Sequence, residues 1–267
     1  MEQGRYLFSA TKIYFAYGFG NSFTFPFSIG ATTLLMVGQP LAEAVLDTVE
    51  TFKTNRNFWV ADPLHCSSSR KFSQDKGSLV AAAIVSAAEI LSEDVYNAWK
   101  HLTGHGSTEL SHIYLSNQLD DHRIGAAGAR VPGYEIRLVT PDGEPVEPGE
   151  EGAMLIRGHS SAPCYWNRAE KTSETMRGDW MATGDRFVER DGYYYFLGRT
   201  DDLIKVSGQW VWPMEVERCL NEHPDVHECA ILAHELEDRR ITLRAVVKLR
   251  DGAVHGDVQT RILCATT

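Results

Sequence analysis

WMATGDRFVERDGYYYFLGRTDDLIKVSGQWVWPMEVE, residues 180–217, crowds charge and glycine into one short span. Thr183-Gly184-Asp185 taken alone is a turn, because glycine supplies positive φ and aspartate bonds its own backbone. Asp191-Gly192, followed by Tyr193, Tyr194, Tyr195 and Phe196, predicts a hairpin into an aromatic strand. In the run Gly198–Asp202, Arg199, Asp201 and Asp202 set carboxylates beside a fork of fixed donors; a solvated loop is the other reading of such a run. Lys205 and Ser207-Gly208 follow, then Pro213, which suits the first position of a helix. So much charge beside glycine is hard to explain by packing. The span reads as chemistry carried on a β scaffold.

The chain has 267 residues, 43% of them hydrophobic, enough for one large domain or two modest ones. With 36 acidic and 26 basic residues the net charge is −10, which argues against nucleic acid or an anionic membrane as a nonspecific partner. Cys66, Cys164, Cys219, Cys229 and Cys264 are scattered and never spaced as CxxC, the pattern of reduced thiols in a cytoplasmic protein. No apolar run is long enough to span a bilayer, and a signal peptide is not expected.

A second chemical stretch is Gly104-His105-Gly106-Ser107-Thr108-Glu109. A glycine-rich turn with two hydroxyls offers donors to phosphate oxygens, and the carboxylate at its end can hold Mg²⁺. His112 and Ile113 follow; a histidine here is either satisfied inside a core or in contact with a ligand ring. Earlier, Phe15-Ala16-Tyr17-Gly18-Phe19-Gly20-Asn21 sets glycines beside aromatics, bringing backbone close to a flat cavity wall or to packed core. Ile29–Met36 predicts a buried strand, and Leu41–Phe52 a helix with one apolar face. Residues 53–78 read as irregular. Leu79–Ile90 is an apolar run ending near Ala88, and Ser92 is a candidate N-cap for a helix stopping at Gly104. His101 with His105, and His223 with His227, share helical spacing without a third ligand, so zinc is not expected. Short strands punctuated by Pro-Gly turns fill 125–158, notably Tyr134–Val139 and Ala153–Arg157. After Pro213 come a helix with Val216 and Leu220 inward and two strands, 228–233 and 242–249.

Together, in this order and some seventy-five residues apart, the two chemical stretches resemble the core motifs of the adenylate-forming superfamily of acyl- and aryl-CoA ligases. YWNRAEKT at 165–172, RGDWMATGDRF at 177–187 and DDLIKVSGQWV at 201–211 look most like its benzoate–CoA ligase branch. The resemblance implies ATP, Mg²⁺ and coenzyme A as reactants and cofactor, and an aromatic carboxylate as substrate. It implies a partial adenylate-forming fold: α/β over about 1–120, a β-rich, barrel-like part over about 121–200, and a shortened α+β domain over 201–267.

Residue by residue, the resemblance gives Ala16, Tyr17, Gly18, His112 and Ile113 to the acyl pocket. Ala88, Gly104, His105, Gly106 and Ser107 go to the nucleotide, Thr108 to the α-phosphate and Glu109 to the metal. Asp185 is assigned to the ribose, Arg199 to its phosphate side, Asp201 to a hinge, and Lys205, Ser207 and Gly208 to the face that meets adenylate and coenzyme A. Two departures stand out: Ala88 where glycine is usual, and Trp212 where a small polar residue is usual. The family's phosphate-binding loop and its late catalytic lysine find no match, so the expectation is a fragment, weak or inactive alone, of a benzoate–CoA ligase. Left open are hydroxy- or chlorobenzoate as substrate, a non-catalytic adenylate-binding chain, and the oligomeric state.

Overall fold

The computed structural model describes residues 6–52, 56–60, 83–87, 102–118, 121–236, 239–250 and 252–253. They fall into two compact units, one within Met1–Thr183 and Val188–Phe196, the other within Gly184–Phe187 and Leu197–Thr267. Ala88 and the helix expected after Ser92 lie outside the described residues.

The first unit is built on one long sheet. Its parallel half comprises β1 (Tyr6–Ser9), β2 (Thr32–Leu35), β3 (Arg56–Val60), β4 (Ala83–Ala87) and β5 (Leu102–Gly106), in the order β2-β1-β3-β4-β5. The ladder then continues through β6 (Ile113–Ser116) and β7 (Gly128–Arg130), both antiparallel, into the β-rich part. That part holds β8 (Tyr134–Val139), β9 (Glu151–Gly158), β10 (Met176–Arg177), β11 (Trp180–Arg190) and β12 (Tyr193–Arg199), in the order β7-β12-β11-β9-β8 with β10 on β11. Along β9, Gly152, Met154 and Ile156 are buried in alternation, as a period of two requires of a strand with one core face. Phe8, Tyr114, Leu115, Met154 and Ile156 are fully buried on this sheet.

Three expectations need correction. Gly104 does not stop a helix: it pairs with Ala87 on one side and Ser116 on the other, inside β5. The strand near Ile29–Met36 is β2, but it ends the ladder and has no buried residue, because an end strand has a neighbour on one side only. The irregular stretch after Lys53 contains β3, paired with both β1 and β4.

Residues Ala16–Ser28 form one continuous right-handed coil: α1 (Ala16–Phe19), a π-helical segment (Gly20–Thr24) and α2 (Phe25–Ser28). Two glycines and a proline oppose helix here, and tertiary packing overrides them. A Cβ on Gly18 would stand 2.1 Å from the Lys12 carbonyl oxygen, so only glycine lets the coil rest on that turn. The helix α3 (Ala42–Phe52) buries Val45 and Val49, one turn apart, as its sequence face predicts. A further short helix, α4 (Ala169–Thr175), precedes β10.

The second unit contains the hairpin β13 (Ile204–Val206) and β14 (Gln209–Val211), the helix α5 (Pro213–Asn221), and the antiparallel pair β15 (Val226–Glu235) and β16 (Ile241–Leu249). Pro213 opens α5, where its missing N–H costs nothing. Val216 and Leu220 are half-buried. Glu217 ties α5 to β15, its Oε1 accepting the Ile231 N–H at 2.7 Å and its carbonyl the Cys229 thiol at 3.4 Å.

Candidate active site

In the first unit the expected acyl-pocket residues converge. His112 stacks on Tyr17 with ring centroids 5.0 Å apart, and Phe25 meets it edge-on at 4.6 Å. Asn21 Oδ1 lies 3.0 Å from His112 Nε2. A Cβ on Gly20 would stand 2.5 Å from His112 Cδ2, so the bare backbone there is what admits the ring. Burial pushes the His112 pKa down to about 4 and holds the Tyr17 phenol well above its ordinary value, with the Asn21 amide opposing the latter; both rings are neutral at neutral pH. Ile113 lies against β5: a Cβ on Gly104 would meet its Cδ1 at 3.2 Å, and one on Gly106 the His112 carbonyl oxygen at 2.5 Å. The glycines read as a phosphate turn thus lie in β5, and they let the His112–Ile113 backbone come close. His105 packs between Tyr114 at 5.6 Å and Phe196 at 5.3 Å.

Beyond β5 the chain turns through Ser107 into a single 3₁₀ turn, Thr108–Leu110, closed by Ser111 at φ 66°. The Ser107 Oγ is buried and makes no hydrogen bond among the described residues, an acceptor and donor ready for a ligand oxygen. Thr108 is exposed. The Glu109 carboxylate is held by one oxygen: Tyr165 donates its hydroxyl to Oε1 at 2.7 Å, and Ala162 N–H reaches the Glu109 carbonyl at 2.7 Å. Tyr165 received no role from the sequence, although YWN was visible, because its partner is 56 positions away.

In the second unit, Gly184 adopts φ +78°, and a Cβ there would stand 2.8 Å from Arg199 Nη2. Its carbonyl accepts both the N–H and the hydroxyl of Thr200, at 2.7 and 3.0 Å. This kink presents Asp185, 5% exposed, to Arg199, whose Nη1 donates to Asp185 Oδ1 at 3.0 Å while its Nε donates to Asp201 Oδ1 at 3.2 Å. Burial works against the Arg199 charge, but Asp201 and Asp185 outweigh it and raise its pKa. Ser207 (φ 49°) and Gly208 (φ 89°) form the two-residue turn of the β13–β14 hairpin, in which Lys205 pairs across with Trp210, its Nζ 5.2 Å from the ring centre. Arg186 lies over the Trp212 ring at 3.6 Å, a contact the sequence did not announce.

Within the first unit, a neutral aromatic stack and an open hydroxyl beside a pinned carboxylate suit a flat acid and a phosphate; within the second, an aspartate gripped by an arginine suits a sugar hydroxyl. Residues 1–166 match a family described as AMP-binding enzyme. The chain belongs to that family. Within the AMP-binding enzymes it is 39% identical over 265 residues to the benzoate–CoA ligase of Thauera aromatica, covering 96% of this chain and 50% of that protein. It is also 39% identical over 267 residues to the 4-hydroxybenzoate–CoA/benzoate–CoA ligase of Rhodopseudomonas palustris, covering 94% of this chain and 48% of that one. Among solved structures, the benzoate CoA ligase from Burkholderia xenovorans LB400 superposes with a TM-score of 0.87 at 33% identity, over 99% of this chain and 55% of that one. An anthranilate CoA ligase in complex with anthranoyl-AMP gives 0.83 at 36%, over 98% and 52%. The chain spans about half the length of the curated relatives it matches, and its fold is the corresponding part of the adenylate-forming fold.

Proposed function

We propose that this chain carries the acyl pocket, the phosphate turn and the ribose-side ion pair of an AMP-forming ligase that joins benzoate, or a ring-substituted relative, to coenzyme A. In the first step a substrate carboxylate oxygen attacks the α-phosphorus of ATP, the bond to the β-phosphate bridge breaks, and pyrophosphate leaves. In the second, the coenzyme A thiolate attacks the acyl carbon and AMP leaves.

In this reading Tyr17, His112 and Ile113, with Ala16 and Gly18 beside them, hold the aromatic ring, and their neutral faces exclude water from the reacting carboxylate. Ser107 and Thr108 donate to phosphate oxygens where charge develops. Asp185 accepts from the ribose hydroxyls, with Arg199 holding its orientation. Glu109, one oxygen fixed by Tyr165, would hold Mg²⁺, a hard cation that takes carboxylate oxygen and neutralises phosphate charge when bound. Asp201 is the expected hinge, and Lys205, Ser207 and Gly208 form the face for adenylate and thiol in the second step.

The observation that carries this reading is the neutral stack of Tyr17 on His112, whose ring only a glycine at position 20 admits. The test is calorimetric titration with benzoyl-sulfamoyl-adenosine, an uncleavable mimic of the acyl-adenylate. Binding that weakens about tenfold or more in Asp185→Ala, the loss expected for a charge-assisted bond, supports it. A folded chain that ignores the mimic, or binds it equally well without Asp185, overturns it.

A further inference from the structure

The Asn21 side chain is completely buried between two rings: its Oδ1 lies 3.0 Å from His112 Nε2, and its amide acts on the Tyr17 phenol. A leucine would fill similar space but could hydrogen-bond to neither ring. That points to a role in holding His112.

The His112 ring is neutral, so one nitrogen carries a proton and the other a lone pair. Its Cδ2–Nε2 edge lies against Gly20 and Asn21, one face lies on Tyr17, and Phe25 meets it edge-on. The Cε1–Nδ1 edge is the one opposite Gly20 and Asn21, and Nδ1 bonds to none of the described residues. We infer that Asn21 is a positioning residue: its Oδ1 accepts the Nε2–H of His112 and fixes that tautomer, leaving Nδ1 as an acceptor for a ring substituent bearing N–H or O–H. The favoured substrates are then amino- or hydroxybenzoates rather than benzoate itself. This rests on the aromatic-acid reading of the pocket.

The two possible orientations of the amide make opposite demands. If Oδ1 faces the ring, an aspartate can replace Asn21 and still accept the proton. If Nδ2 faces it, an aspartate has nothing to donate. The test is ¹⁵N NMR of the full chain with labelled histidine, at a pH near 8, with His112 resonances assigned by a His112→Gln variant. The expected result is Nε2 protonated and Nδ1 bare, a pattern kept in Asn21→Asp and mixed with the Nδ1–H form in Asn21→Leu. A wild-type ring protonated at Nδ1, or an Asn21→Asp variant that loses Nε2–H, overturns the inference.

Adding ligands separates the two readings. 2-Aminobenzoate or 3-hydroxybenzoate should move the Nδ1 resonance, benzoate should not, and the preference for the donor-bearing acid should shrink about tenfold in Asn21→Leu, the worth of one hydrogen bond. Equal shifts with benzoate overturn the substituent preference. If no acid disturbs His112 while its tautomer stays as inferred, the aromatic-acid reading fails and the Asn21–His112 assignment stands.

Discussion

Gly20 has an ordinary helical φ of −55°, so its backbone would accept any residue; only the His112 ring forbids one. We expect Gly20→Ala to cost about 1–3 kcal/mol of stability by overpacking, read from urea unfolding, and to weaken binding of the acyl-adenylate mimic. His112 also gives stability a pH dependence. The folded chain holds the ring neutral down to about pH 4, whereas the unfolded chain protonates it near 6.5, so the unfolded state binds more protons between these values. Stability present above pH 6.5 is lost as pH falls toward about 4, by on the order of 3 kcal/mol at most. Urea melts at pH 7 and 4.5 measure it, and His112→Gln should flatten the slope, though not fully, since burial lowers the His122 pKa as well. At Glu109, Tyr165→Phe removes one hydroxyl and should cost roughly 1 kcal/mol, while Mg²⁺-dependent nucleotide affinity, followed by titration, falls more clearly.

At the scale of elements, β11 owes its shape to Gly184. Alanine there must hold φ near +78° and displace Arg199, a strain of about 1–3 kcal/mol. A lowered melting temperature with loss of mimic binding is the expected result for Gly184→Ala, and unchanged binding would separate the kink from the site. Much at this scale was legible. Asp191 (φ 50°) and Gly192 (φ 79°) form the turn their identities predicted, because both central positions of such a hairpin need positive φ. Alternation in Tyr134–Val139 gave β8, the apolar face of Leu41–Phe52 gave α3, and Pro213 marked the start of α5. What stayed hidden has a common cause. Asn21 meets His112 across 91 positions, Tyr165 meets Glu109 across 56, and neither pair leaves a local pattern. The coil 16–28 was hidden because glycine, proline and aromatics argue against helix, and the packing at Lys12 that overrides them is not written in its own residues.

For the molecule as a whole, one surface is conspicuous. Along one face of the coil Phe19 stacks on Phe23 at 5.1 Å and Phe27 meets Phe23 edge-on at 4.7 Å, and each is at least 45% exposed. An exposed aromatic ladder of this kind takes up apolar dyes and promotes self-association. We expect anilinonaphthalene sulfonate fluorescence to rise with this chain and sedimentation to depend on concentration, with Phe23→Glu reducing both. The two compact units, finally, are interleaved along the chain, which passes from one to the other after Thr183, back after Phe187, and across again after Phe196. A single cut cannot part them cleanly. A fragment beginning at Leu197 would carry Arg199 and Trp212 but leave behind Asp185 and Arg186, the groups those side chains grip. The small unit is therefore not a module that can be moved by splicing at one joint: any transplant must bring the four residues Gly184–Phe187 with it, as a graft of two separate pieces of chain.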